Sequence, residues 1–160
     1  MVRPLRVLPN PTLRTPAASV AEFDGALHRL VRDMIDTMYA NDGIGLAAPQ
    51  IGCSLQIFVA NPSQTRGKEL VIINPSLEDS SGRAMIMEGC LSVPDVWAKV
   101  RRASRVRLRG RDVTGASHVI EADGLLAIVL QHELDHLHGQ LFIDHLSWWR
   151  RQAAMRRKRR

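Results

Sequence analysis

Gln131-His132-Glu133-Leu134-Asp135-His136 is the stretch on which the reading of this chain turns. It follows Leu125, Leu126, Ile128, Val129 and Leu130, a run that is apolar on nearly every face of a helix. A helix apolar all round is a buried one. Asp123 is its expected N-cap and Gly139 its expected stop. Two histidines four residues apart share one helix face, one turn apart, and can bind a single metal ion. Glu133, next to the first histidine, is placed to reach a water on that metal. Burying two imidazoles and two carboxylates in one apolar turn is costly unless something compensates, and a metal does. The plainer alternative is the polar face of a surface helix, against which the apolar first half of the segment speaks.

A catalytic tetrahedral site needs a third protein ligand and one open position. In the metalloprotease pattern that extends the two-histidine motif, Gly139 is in place, but the third histidine would fall on Phe142. No acid follows Asp144, so a downstream carboxylate is excluded. His138 lies two residues past His136 and points off the ligand face, while His145 stays open as a ligand. The best candidate lies upstream, at Cys90 in Glu88-Gly89-Cys90-Leu91-Ser92, where Gly89 permits close backbone approach. A thiolate with two imidazoles suits zinc or ferrous iron. Cys53 reads as a small buried hydrophobe.

Working outward, Leu27, Leu30, Val31, Met34, Ile35 and Met38 form one apolar stripe of a first helix. Asp24 is its candidate N-cap, with a Ser19–Glu22 capping box as the competitor. Strands are expected over Leu55 to Ala60 and Leu70 to Asn74, each closed by an Asn-Pro pair. From Lys99 to Arg111 the period is two, so Arg105, Arg107, Arg109 and Arg111 share one strand face. That face is read as solvated and as blunting a sheet edge, with an anion site as the sharper alternative. Another short strand is expected over His118 to Glu121. The fold class is α+β: small antiparallel sheets around a central buried helix that carries the metal motif, plus a C-terminal helix.

The 160 residues suit one domain, and no apolar run approaches the roughly 18 residues of a membrane span. Two cysteines cannot build a disulfide framework, so a reducing compartment is expected. The net charge is +6, yet 7 of the 22 basic residues lie between Trp148 and Arg160, leaving 15 against 16 acids elsewhere. The domain is therefore electrically ordinary and carries a basic arm, which argues against a nucleic-acid-binding fold. Arg3, Arg6 and Arg14 ahead of the first acid, Glu22, have the charge of a transit peptide. Pro4, Pro9, Pro11 and Pro16 instead suit an extended arm.

Three stretches together resemble the peptide deformylase family: Gly43-Ile44-Gly45-Leu46-Ala47-Ala48-Pro49-Gln50, Glu88-Gly89-Cys90-Leu91-Ser92 and Gln131-His132-Glu133-Leu134-Asp135-His136. They match its three signature motifs in order. Val7-Leu8-Pro9 and Leu13-Arg14 also resemble the family's opening, so the likeness covers about residues 3 to 147. The resemblance implies a metal-dependent hydrolase that removes the N-formyl group from the formyl-methionine of nascent polypeptides and releases formate. It implies one divalent metal on Cys90, His132 and His136, with Fe2+ as the native ion and Zn2+, Ni2+ or Co2+ as other occupants. Glu133 would move the proton. Gln50 and the backbone N–H of Leu91 would serve the oxyanion. Gly45 would let backbone crowd the formyl group and exclude larger acyl groups. Ile44, Leu125, Ile128 and Val129 are candidates both for a methionine pocket and for plain core. Arg102 is expected to pair with Asp135 and orient the metal helix, or else to be one more arginine of the basic strand. Trp97 stands where some members carry an arginine near the substrate backbone.

The expected organisation is a catalytic domain over 1–147 and a basic tail or helix extension over 148–160, capped by Ser147. The tail is expected to dock on the ribosome near the nascent-chain exit. The protein is expected to be a monomer in the bacterial cytoplasm, with an organelle as the alternative and no membrane partner. Two rival readings are a general metallopeptidase and an inactive relative used for binding. Formate release without cleavage of a blocked internal peptide separates all three.

Overall fold

The computed structural model describes residues 1–157, so Lys158, Arg159 and Arg160 of the expected basic run lie outside the described residues. The first helix, α1, spans Gly25–Ala40. The Asp24 side chain accepts the backbone N–H groups of Ala26 and Leu27 at 2.9 and 3.0 Å, so the helix starts there rather than at Ser19. Seven strands follow: β1 Gly45–Ala47, β2 Ile57–Ala60, β3 Leu70–Ser81, β4 Ala84–Cys90, β5 Val93–Arg102, β6 Arg105–Arg111 and β7 Ser117–Asp123. Then come the motif helix α2, Gly124–Leu137, and α3, Trp148–Arg157. Five strands form an antiparallel sheet in the order β1-β2-β3-β6-β7, and β4 pairs with β5 alone.

The two helices use opposite faces of that sheet. Strand periodicity sends Phe58 and Ala60 of β2 toward α2, where they join Ala127, Leu130 and Leu134. Ile57 and Val59 join Leu27, Val31, Met34 and Met38 of α1. The β4–β5 hairpin has its own core, in which Val93, Val96 and Val100 pack on Phe142, Ile143 and Ala154. Helix α2 thus packs on the main sheet, and the hairpin reaches it through polar side chains, Arg102 to Asp135 and Glu88 to His132. Each fully buried Leu, Ile or Phe contributes about 1.5–3 kcal/mol.

Three sequence expectations change. Asn61-Pro62 does end β2, but Asn74-Pro75 does not end β3. Asn74 takes φ 50°, its side chain pairs with both backbone groups of Val20 at 2.8 and 2.9 Å, and the strand resumes after an irregularity. The tract from Lys99 to Arg111 is two strands, broken at Ala103 and Ser104. Gln131 of α2 holds that break, its amide pairing with both backbone groups of Ala103 at 3.0 and 2.9 Å. The arginine face is exposed as expected, but β6 lies inside the sheet, whose edges are β1 and β7.

At the end of α2, Gly139 adopts φ 72°, and a Cβ there would meet the Arg14 carbonyl oxygen at 2.5 Å. Only glycine satisfies both constraints. Asp123 precedes the helix, but its side chain makes no capping bond.

Candidate metal centre

His132 and His136 stand on one face of α2, and β4 delivers Cys90 against them. The ligating atoms of these three residues all lie within 4.8 Å of one another. Cys90 Sγ is 3.3 Å from His136 Nε2. His132 donates through Nδ1 to Glu88 Oε2 at 2.9 Å, which leaves the Nε2 lone pair free for a metal. Glu88 is fixed as an acceptor because Arg102 grips it with two bonds of 2.8 and 2.9 Å. Burial opposes its charge, yet Arg102 and then His132 hold its carboxyl down to about 2.

The charges around the centre call for a cation. Burial works against a Cys90 thiolate, but the His136 imidazole, with His132, brings the thiol well below its ordinary value. The thiolate and Glu88 in turn, against the effect of burial, lift His132 well above its own. A metal takes the place of protons at such a donor set. Glu133 Oε2 is buried and has no hydrogen-bond partner, and burial pushes the Glu133 carboxyl up to about 7. The donor set, its spacing and this orphaned carboxylate fit a single divalent ion.

The centre opens into a cavity of about 620 Å³. Ile44, Leu125, Ile128 and Val129, the residues shared between pocket and core readings, all line it. So do Gly45, Gln50, Leu91 and Trp97. Gln50 accepts the Ala47 N–H through Oε1 at 2.8 Å, so its Nε2 faces Ser92 Oγ at 3.2 Å and Cys90 Sγ at 3.6 Å. At Gly45, a Cβ would overlap Glu133 Oε1 and stand 2.9 Å from its Cδ. Its lack of a side chain thus makes room for the Glu133 carboxylate. Trp97 is 65% exposed, and its ring covers Gly89, where a Cβ would meet it at 2.8 Å. Gly89 admits an indole rather than a neighbouring backbone.

Arg102 is not part of the exposed arginine row. It is buried, and its Nη1 donates to Asp135 Oδ2 at 2.6 Å. His145 is not in the ligand group; its Nε2 lies 2.7 Å from Asp135 Oδ2. Glu88 and Ser92 take roles that their motif alone does not assign, Glu88 against His132 and Ser92 against Gln50. Glu88 stands two residues before Cys90, but the β4–β5 pairing is irregular between them, so strand alternation alone does not show that both reach α2.

A buried helix with two histidines and a glutamate, completed by a cysteine from a hairpin, defines a single-metal hydrolase of α+β fold. The polypeptide deformylase family profile matches residues 2–152, and the chain belongs to that family. A peptide deformylase structure from Legionella pneumophila is 43% identical, with a TM-score of 0.95 over 98% of this chain and 93% of that one. One from Thermus thermophilus is 40% identical, with a TM-score of 0.93 over 99% and 94%. One from Synechococcus elongatus, in complex with actinonin, is 39% identical, with a TM-score of 0.91 over 98% and 85%. The protein is a metal-dependent enzyme that removes the N-formyl group of nascent peptides. Among the described residues, no helix is long and apolar enough to cross a membrane.

Proposed function

We propose that the formyl-methionyl end of a peptide enters the 620 Å³ cavity with its formyl group at Cys90, His132 and His136. The methionine side chain then lies against Ile44, Leu125, Ile128 and Val129. The observation that carries this assignment is Glu133, a buried carboxylate with an unpartnered oxygen in the wall of a largely apolar cavity. A divalent ion, which Cys90, His132 and His136 would hold, would supply Lewis acidity and an acidified water. Glu133 accepts the proton of the attacking water as the water oxygen adds to the formyl carbon. It returns the proton to the amine nitrogen as the C–N bond breaks and formate leaves. Burial works against the charge of the Glu133 carboxylate, which favours its taking up a proton. Gln50 Nε2 and the Leu91 N–H donate to the formyl oxygen as it gains charge, each worth roughly 3 kcal/mol. Gly45 leaves room for Glu133 and for no acyl group much larger than formyl.

Glu133→Gln keeps the shape of the side chain and removes the base. It should retain metal and lower kcat about 10²–10⁴-fold, measured by formate release. Near-parental turnover at full metal loading refutes the assignment. We take Fe2+ as the native ion, with Zn2+, Ni2+ and Co2+ as alternatives compatible with the ligands. Iron-loaded enzyme should then lose activity in air while nickel-loaded enzyme persists, since both Fe2+ and a thiolate oxidise. Equal decay of the two counts against iron.

Residues 1–147 form the catalytic domain in this reading, and 148–160 a ribosome-docking arm of a monomeric enzyme of the bacterial cytoplasm. Trp148 and Trp149 are exposed at the start of α3, and Arg156 is exposed farther along. Such a surface suits salt-dependent attraction to ribosomal RNA phosphate. Because Ala154 is buried against Phe142 and Ile143, charge reversal at Arg156 is a cleaner test than deletion. Co-sedimentation with ribosomes should fall while formate release stays the same, and unchanged sedimentation refutes docking through this residue.

A further inference from the structure

We infer that His145 is a positioning residue for the metal ligand His132, acting through Asp135, Arg102 and Glu88. The inference rests on the assignment of Cys90, His132 and His136 as metal ligands. His145 ends the short 3-10 turn Phe142–His145 that follows α2. That turn is fixed by Asp144, which accepts the Leu141 N–H at 2.8 Å and pairs with Arg14 and with Arg151. The turn touches the metal helix at both of its ends. The Phe142 ring stacks on the His132 ring, with centroids 6.1 Å apart and planes at 23°. His145 Nε2 reaches Asp135 Oδ2 at 2.7 Å.

The proton inventory gives this last contact its direction. Asp135 Oδ2 is already 2.6 Å from the Arg102 Nη1 donor. His145 Nε2 is 3.2 Å from that same Nη1, and one ring nitrogen cannot both accept from Arg102 and donate to Asp135. The shorter distance selects donation, so Nε2–H points at Oδ2. The Asp135 carboxylate is then held by two donors. Its hold on Arg102 Nη1 sets the plane of the guanidinium, whose Nε and Nη2 grip Glu88. Glu88 Oε2 sets the His132 ring through Nδ1. Without His145, Oδ2 keeps one donor, and the carboxylate can turn about its own axis and take the guanidinium with it. His145 also opens onto a second cavity of about 400 Å³, lined by Arg83, Arg101, Arg102 and Asp135, which shares no residue with the substrate cavity. A change at His145 therefore reaches the substrate cavity only through Glu88 and His132, which line it, and touches none of Ile44, Leu125, Ile128 and Val129.

Direct partners of a ligating histidine typically alter metal affinity 10–100-fold, so a residue acting through them should alter it about 3–10-fold. The test compares His145→Phe, which keeps a ring and loses the donor, with His145→Gln, which keeps a side-chain N–H. Each is loaded with Co2+, and the transfer of Co2+ to a chelator and its visible absorption are followed, with thermal melting as the check on folding. His145→Phe should release Co2+ about 3–10-fold faster, show altered band intensity, and lower kcat for a formyl-Met peptide with KM unchanged. His145→Gln should restore retention and spectrum to near the parental values. Parental retention and spectrum in His145→Phe overturn the inference, as does equal impairment of both variants. His145→Asn, too short to reach Asp135, makes the same comparison if the phenylalanine variant does not fold. If the parent itself binds no Co2+, the three-ligand assignment fails, and this inference falls with it.

Discussion

Among the described residues, arginine meets glutamate in two regions, with opposite consequences. Behind the metal helix, Arg102 and Glu88 are 3% and 6% exposed, and the guanidinium makes two bonds to one carboxylate and a third to Asp135. On the outer face of the main sheet, Arg107 and Arg109 share Glu78 at 3.0 and 2.5 Å, with the arginines about half exposed. The geometries are comparable, and water makes the difference. An exposed pair exchanges one set of favourable contacts for another and is worth little. A buried pair carries a large desolvation cost, and removing one partner strands the other charge. Arg107 and Arg109 thus leave the face solvated, whereas Arg102 gives the His132 ring a fixed orientation.

The largest effect should come from breaking the buried pair. Arg102→Leu strands the buried Glu88 carboxylate without its guanidinium, takes one of the two donors from Asp135, and should cost about 3–5 kcal/mol of stability in denaturant unfolding. It should also weaken metal retention, because Glu88 loses the partner that keeps it an acceptor for His132. A cost below that of an ordinary surface change would show that this network is not isolated from water. A smaller effect on stability, but a large one on catalysis, is expected from Gly45→Ala. The added methyl displaces the Glu133 carboxylate, and a shift of about 1 Å in a reacting group can cost roughly 100-fold in kcat/KM. Parental kcat/KM in this variant would mean that Glu133 has another position from which to work.

The smallest effect should come from the exposed row. Glu78→Gln should shift the melting temperature at neutral pH by no more than about 2 °C, and less in high salt. Arg109, followed by Arg107, holds the Glu78 carboxyl below its ordinary value of 4.5. Its contribution is therefore present above that pH and fades as the pH falls. The small difference between parent and variant should vanish in acid melts. A difference that grows as the pH falls reverses the sign and breaks the comparison.

The arginine residues also mark how far the sequence could be read. Period two placed Arg105, Arg107, Arg109 and Arg111 on one exposed face, because alternation is a local property of an extended chain. It also drew Lys99 to Arg111 as one strand, because nothing local marks the break. Ala103 and Ser104 leave the strand on account of Gln131, 28 residues away. Arg102 has the parity of Val100, Val106 and Leu108 and not that of the exposed row, so alternation already turns it to the other face. That it meets Glu88 and Asp135 there is decided by tertiary contacts alone. Asn74-Pro75 was misread for a similar reason: Asn74 is stapled to Val20, 54 residues earlier, so the strand bends and continues.

Within the chemistry, the division falls in the same place. The i, i+4 spacing of His132 and His136 follows from helix pitch, and the burial of that helix follows from its apolar surround, so both were legible without a fold. Donor chemistry singled out Cys90, and the structure brings it into the group with the two histidines. Which side chain turns His132 so that Nε2 is free, why Gly45 has no side chain, and that His145 faces Asp135 rather than the metal were decided only in three dimensions. Each depends on contacts between strand, helix and turn that are far apart in the chain. A sequence states residue types and local periods, and long-range packing decides which polar groups lose water together.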